Sequence, residues 1–307
     1  MSCLGLRKDM SHKNPPPAER RRTVRIKRSG LQTFMLEGLD RPAMKFAETR
    51  EELEQAFSLV YEVYRKKNFI PNPVPHKMLY NMYSLLPSTK HIIAKSYLTV
   101  ISNLTEIFDT PQFGLPMDAI YKPELDNLRD KGRSLVELSA LATPKEHRWK
   151  NIFLYLVQVM YWYSEFRKVD DVCITVNPRH VRYYMQLFPF EQLGPERHYK
   201  RVSAPAIALR GKVKDSMDRM VEICHNLGFD TPLYSYFYRI TGITPANDAA
   251  YLDSQALQVN VWPKPIKTSI VKYFLNKDKS ILNELSDEQK DELQKVYPDL
   301  VLEDSSK

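Results

Sequence analysis

One segment restricts the possible folds more than any other: Asn151-Ile-Phe-Leu-Tyr-Leu-Val-Gln-Val-Met-Tyr-Trp-Tyr-Ser-Glu-Phe166 is apolar on nearly every face at helical spacing. A helix without a polar face is either enclosed by protein or spans a membrane. Gln158 and Ser164 interrupt the run short of the ~20 apolar residues that a span needs, so the spacing predicts a central packed helix over 147–167. Just before it, Arg133-Ser-Leu-Val-Glu-Leu-Ser-Ala-Leu-Ala-Thr143 reads as a strand holding one carboxylate, Glu137. A carboxylate buried there must be paired, protonated or at work, because uncompensated burial is expensive. Glu137 is the first place to look for chemistry.

Other elements arrange themselves around this pair. Residues 23–27 and 44–48 alternate as short strands, and Thr49 with Glu52 forms the start signal of a helix over 50–66. Pro71, Pro73, Pro75 and Pro87 break the next stretch into a loop rich in Tyr and Met. A strand over 91–101, a loop over 102–118 and an acidic helix over 123–131 follow. Beyond the central helix come a strand over 171–176, a helix over 178–187 and a strand over 204–209. Strands alternating with helices predict an α/β or mixed α+β domain over 22–211. Residues 1–21 form a basic arm with Pro15-Pro16-Pro17, expected to be disordered, and 212–307 give only helical signals, at 213–227, 234–240 and 286–296.

The chemistry classes narrow by exclusion. Seven scattered histidines and three cysteines (Cys3, Cys173, Cys224) lack metal-site spacing, so no metal is expected. There is no G-x-S-x-G elbow and no phosphate-binding P-loop. The odd cysteine count and the absence of an apolar leader predict a cytoplasmic protein. A formal charge of +8 suits an anionic partner, whether nucleic acid, lipid surface or acidic carrier protein, and selects none by itself. Eighteen Tyr and thirteen Phe serve either an ordinary core or a lipid-like ligand.

Two junctions offer further candidates. At Thr143-Pro-Lys-Glu-His-Arg-Trp-Lys150 the absence of glycine disfavours close wrapping of a pyrophosphate, whereas Lys145, Arg148 and Lys150 suit a single phosphate, an acidic protein surface or plain solvation. Asn177-Pro-Arg-His-Val-Arg-Tyr-Tyr184 opens a helix at a strand end; Tyr184 is either a proton donor to a leaving thiolate or a core tyrosine packed on Phe190. Arg21 and Arg25 have the R-x-x-x-R spacing with which PilZ domains bind cyclic di-GMP, but the second half of that motif is missing and a solvated arm is preferred.

Taken in order, Leu59-Val-Tyr-Glu-Val-Tyr64, Pro71-Asn-Pro73, Leu85-Leu-Pro-Ser-Thr89, Gly114-Leu-Pro-Met-Asp-Ala-Ile-Tyr121, Gly132-Arg133 and Val136-Glu-Leu-Ser-Ala-Leu-Ala142 resemble the FeeM-type long-chain N-acyl amino acid synthases. These are GNAT-like acyltransferases related to the acyl-homoserine lactone synthases, and the resemblance covers about 44–211. It implies an α+β, three-layer GNAT-like fold with a mixed sheet splayed at the Glu137 strand, and a helical C-terminal extension. It implies an acyl carrier protein as donor, an amino acid as acceptor, and neither a cofactor nor a nucleic-acid partner. Glu137 then handles the amine proton and Tyr184 the thiolate. Ser139, Leu141, Lys145, Arg148, Lys150 and Asn177 are placed near the pantetheine arm, and Tyr80, Met82, Tyr83, Phe153 and Met160 along the acyl chain. Ala140 stands where lactone synthases carry Arg, which weakens that alternative. An aminolipid synthase and a non-catalytic regulator binding acyl carrier protein or cyclic di-GMP stay open.

Overall fold

Eight strands form one mixed, open sheet in the order β1-β2-β3-β4-β5-β8-β6, with β7 also paired to β8. The computed structural model describes residues 42–70, 72–150, 152–214 and 263–300, together with Leu39. The strands are β1 (Pro42–Phe46), β2 (Lys90–Ser96), β3 (Thr99–Phe108), β4 (Leu135–Ala142), β5 (Asp171–Val176), β6 (Phe190–Gln192), β7 (Arg197–Tyr199) and β8 (Ala204–Lys212). All neighbours run antiparallel except β4 and β5. A parallel pair needs a crossover, and the apolar segment supplies it: a 3-10 helix at Lys145–Lys150 leads into the α-helix Ile152–Phe166.

The remaining helices are numbered with it in chain order: α1 (Arg50–Arg65), α2 (Met82–Leu85), α3 (Asp118–Arg129), α4 (Ile152–Phe166), α5 (Pro178–Leu187), α6 (Thr268–Lys277), α7 (Ser280–Asn283) and α8 (Asp287–Val296). α4 is covered as its composition requires. Ile152, Leu156 and Met160 pack into one cluster with Phe46, Ile92, Leu104, Val136 and Ile174 of the sheet and Leu187 and Phe188 at the end of α5. The opposite face carries α1 and α3. Tyr121, Leu125 and Leu128 of α3 sit on Ile107, Leu135 and Cys173.

Start signals of the helices are mostly realised. Thr49 Oγ1 accepts from the Glu52 N–H at 3.2 Å, a cap of about 1 kcal/mol. The reciprocal bond differs from a capping box: the Glu52 carboxylate takes the N–H of Glu48 at 3.1 Å and the Lys95 ammonium at 2.9 Å. Asn177 caps α5 through its side chain, with Pro178 at the first turn. Ser286 and Gln289 form the capping box of α8.

Two expectations need correction. The strand expected over 91–101 and the first part of the loop expected over 102–118 are a hairpin: β2 turns at Tyr97-Leu98 and β3 runs on to Phe108. Asn103, Thr105 and Glu106 give that segment the look of a loop, yet all three are buried. The C-terminal extension contains α6, which lacks a side-chain cap. Tyr80 and Met82, two of the residues expected along the acyl chain, are buried in a cluster with α1 and α6. Tyr80 stacks on Phe57 at 5.1 Å and donates to the Phe274 carbonyl at 2.9 Å. The strand expected over 23–27, Arg21, Arg25 and, beyond Lys214, the helices expected over 213–227 and 234–240 lie outside the described residues.

Candidate active site

The β4–β5 ladder stops early. Pairing runs from Leu135–Asp171 to Leu138–Ile174 and no further, although β4 continues to Ala142 and β5 to Val176. An extra residue on β4 bends it away. Three residues of β3, from Thr105 to Asn103, face four of β4, from Ser139 to Ala142. Such a bulge kinks the strand that carries it. Ala140 absorbs the kink in the left-handed region (φ 51°), and Asn103 Nδ2 holds its carbonyl at 2.9 Å.

A cleft of about 180 Å³ opens where the strands part. Ser139 and Leu141 of β4 and Thr175, Val176 and Asn177 at the end of β5 line it. Val157, Met160, Phe188 and Phe190 make its apolar floor. Phe153 and Tyr184 also line it and meet edge to face, ring centroids 6.4 Å apart at 90°. Of the residues expected on sequence grounds, Ser139, Leu141, Asn177, Phe153, Met160 and Tyr184 are therefore brought together. Lys145 is exposed and does not line this cleft, and the side chains of Arg148 and Lys150 lie outside the described residues. Tyr83 lies toward α3 and donates to the Phe113 carbonyl at 3.1 Å.

Glu137 sits just beneath the cleft, on the other face of β4. It is 3% exposed, flanked in the sheet by Ile107 and Cys173. Its Oε2 accepts from the Met117 N–H at 2.8 Å. Arg133, the arginine nearest in sequence, is engaged with Asp171 instead. Burial pushes the Glu137 carboxyl up to about 8; the Met117 N–H and the charge of Arg201 pull the other way. A carboxyl poised there can exchange a proton near neutral pH.

Tyr64, in the last turn of α1, connects the two faces. It lines the cleft. Its phenol is held well above the ordinary range by burial first, then by Tyr184, Tyr199 and Glu137. Sequence reasoning did not single it out, because at helical spacing it reads as one more core position of α1. Lys67 and His180 also line the cleft, and Lys67 lies one residue beyond the α1 C-cap, where no pattern marks it.

The profile of the family described as "N-acyl amino acid synthase FeeM" matches residues 55–212, just over half of the chain, and spans α1 through β8. The chain belongs to the FeeM family of N-acyl amino acid synthases. The solved structure of FeeM itself, an N-acyl amino acid synthase from uncultured soil microbes, is similar with TM-score 0.52 and 24% identity, over 58% of this chain and 95% of that one. It establishes the shared GNAT-like fold. A CoA-dependent acyl-homoserine lactone synthase, BjaI, with SAM and isopentyl-CoA, is similar at TM-score 0.47 and 13% identity, over 64% and 99%. An acyl-CoA N-acyltransferase from Pseudomonas aeruginosa matches at 0.40 and 18%, over 56% and 99%. No curated protein sequence matches. Membership of the FeeM family makes the chain an N-acyltransferase. Among the described residues no helix is long and apolar enough to cross a membrane, and no group of His, Cys, Asp or Glu is arranged to hold a metal ion.

Proposed function

We propose that the protein transfers a long-chain acyl group from the thioester of an acyl carrier protein to the α-amine of an amino acid. The observation that carries this reading is the early end of the β4–β5 ladder at an apolar cleft. Strand edges that part leave backbone N–H and C=O groups in need of partners. The amides of a carrier's phosphopantetheine arm can supply them in the manner of an added strand. Lys67, exposed beside the cleft, suits the arm's single phosphate.

In the reaction, the amine nitrogen attacks the thioester carbonyl, and the C–N bond forms as the C–S bond breaks. The amine proton passes to Glu137, directly or through water in the gap between the strands. Backbone N–H groups of β4 stabilise the oxyanion, and Tyr184 protonates the departing thiolate. No acyl-enzyme intermediate is needed.

The test is product mass after incubation with palmitoyl carrier protein and a mixture of amino acids. An N-palmitoyl amino acid is expected. A lactone or aminolipid product, or no turnover at all, would overturn the assignment.

Tyr184→Phe separates proton donation from packing. A thiol with pKa of about 8.5 leaves tolerably as thiolate near neutral pH, so the loss in kcat should be modest, about 10-fold. Donor KM should hold, since the ring contacts with Phe153, Phe188 and Phe190 remain. Unchanged thiol release at every pH would leave Tyr184 a packing residue.

A further inference from the structure

We infer that Asn103 is a positioning residue for the acyl donor: it ends a buried chain of hydrogen bonds from Ser84 through His91 and Thr105 and holds Ala140 in the kink that turns Leu141 into the cleft. Its kinetic test rests on the donor site proposed above.

The need for a hold lies in the alternation of β4. Neighbouring side chains of a strand point to opposite faces, so Leu138 and Leu141, three residues apart, would lie on opposite faces of a regular strand. Both nevertheless line the cleft and pack on the α4 side, because the extra residue at the bulge shifts the phase. Ala140 takes up that shift in the left-handed region (φ 51°), a conformation that a residue with a side chain keeps only where its surroundings impose it. A slip of one residue would turn Leu141 out of the cleft.

Strand β3 supplies the hold. Asn103 Nδ2 donates to the Ala140 carbonyl at 2.9 Å, and Ser102 Oγ donates to the Ala142 carbonyl at 3.1 Å. The carbonyls on either side of Leu141 are thus bonded by side chains of the neighbouring strand. The direction of the asparagine amide is fixed from a distance. The Ser84 carbonyl can only accept, so His91 Nε2, 2.8 Å away, carries the proton. Burial pushes the His91 pKa down to about 4, and in the neutral ring Nδ1 is then an acceptor. The Thr105 hydroxyl, 3.0 Å from Nδ1, donates to it and in turn accepts from Asn103 Nδ2 at 3.2 Å. An amide turned the other way would set Oδ1 against two acceptors. His91, Asn103 and Thr105 are all buried.

The experiment measures donor and acceptor KM with palmitoyl carrier protein and an amino acid, together with the nitrogen NMR shifts of the His91 ring. It compares wild type, Asn103→Leu, Thr105→Val, Thr105→Ser and the double variant Asn103→Leu with Ala140→Gly. Asn103→Leu should raise donor KM by about 10-fold, the worth of one neutral hydrogen bond, with acceptor KM unchanged. Thr105→Val should do the same to a lesser degree, and Thr105→Ser, which keeps the hydroxyl, should hold the wild-type value. Glycine enters the left-handed region without strain, so the double variant should recover part of the loss, a rescue that a merely structural asparagine would not show. The His91 ring should carry its proton on Nε2. An unchanged donor KM in Asn103→Leu, a loss that Ala140→Gly does not relieve, or a proton on Nδ1 overturns the inference while the proposed function stands. Should Asn103→Leu fail to fold, the two Thr105 variants decide, and equal donor KM in both overturns it. A wild type that transfers no acyl group overturns the proposed function, and this inference with it.

Discussion

Glu137→Gln should lower kcat by about 10²–10⁴-fold, the ordinary worth of a positioned acid–base group, in a protein that still folds. Glutamine keeps an oxygen for the Met117 N–H and carries no charge into a site where burial already favours the neutral carboxyl. Only the proton acceptor is removed. The sign of the pH dependence follows. With the wild-type carboxyl near 8, the ionised, base-competent fraction grows as pH rises, so kcat/KM climbs through about pH 8 and levels above it. A weakly basic amine as acceptor places the acceptor's own titration at lower pH, so that the limb near 8 belongs to Glu137; the variant should lack it. Steady-state thiol release over that range is the measurement. A variant with full turnover, or an unchanged limb, would remove Glu137 from the chemistry.

Phe274→Ala should cost about 3–5 kcal/mol of stability, as large-to-small changes at fully buried aromatics do. Phe274 is wholly buried, its ring 5.1 Å from both Phe57 of α1 and Tyr80. It fastens α6 to the helix that also carries Tyr64. Urea denaturation followed by circular dichroism measures the loss. A change below about 1 kcal/mol would mean that α6 to α8 cover the domain without contributing to its core.

How legible this was depended on local chemistry. β5 and α5 lie at Asp171–Val176 and Pro178–Leu187 as expected, because a β-branched run meets an Asn-Pro cap with little freedom at the boundary. The β2–β3 hairpin was hidden because its tip is Tyr97-Leu98, without glycine or asparagine, and Tyr97 itself takes φ 49°; common hairpin chemistry is absent. Strands β6 and β7, three residues each, are too short to show alternation. Glu137 stood out because a carboxylate in an apolar strand conflicts with its surroundings. Tyr64 did not, since a tyrosine at helical spacing conflicts with nothing. Its place at the cleft follows from α1 crossing β3 and β4, which sets the last turn of that helix where β4 leaves β5.

The kink at Ala140 has a bearing on how such a site changes over time. Where β4 leaves β5, the groups offered to a ligand belong to the main chain, and every amino acid but proline presents the same ones. Side-chain replacement along 139–142 therefore leaves that part of recognition intact, and an alanine scan passes over it silently. Proline substitution or an ester in place of one amide would reveal it. Selection is thus free to reshape the walls and the floor of the cleft without rebuilding that edge; under the proposed function, the preferred acyl chain can change while the hold on the donor's arm does not.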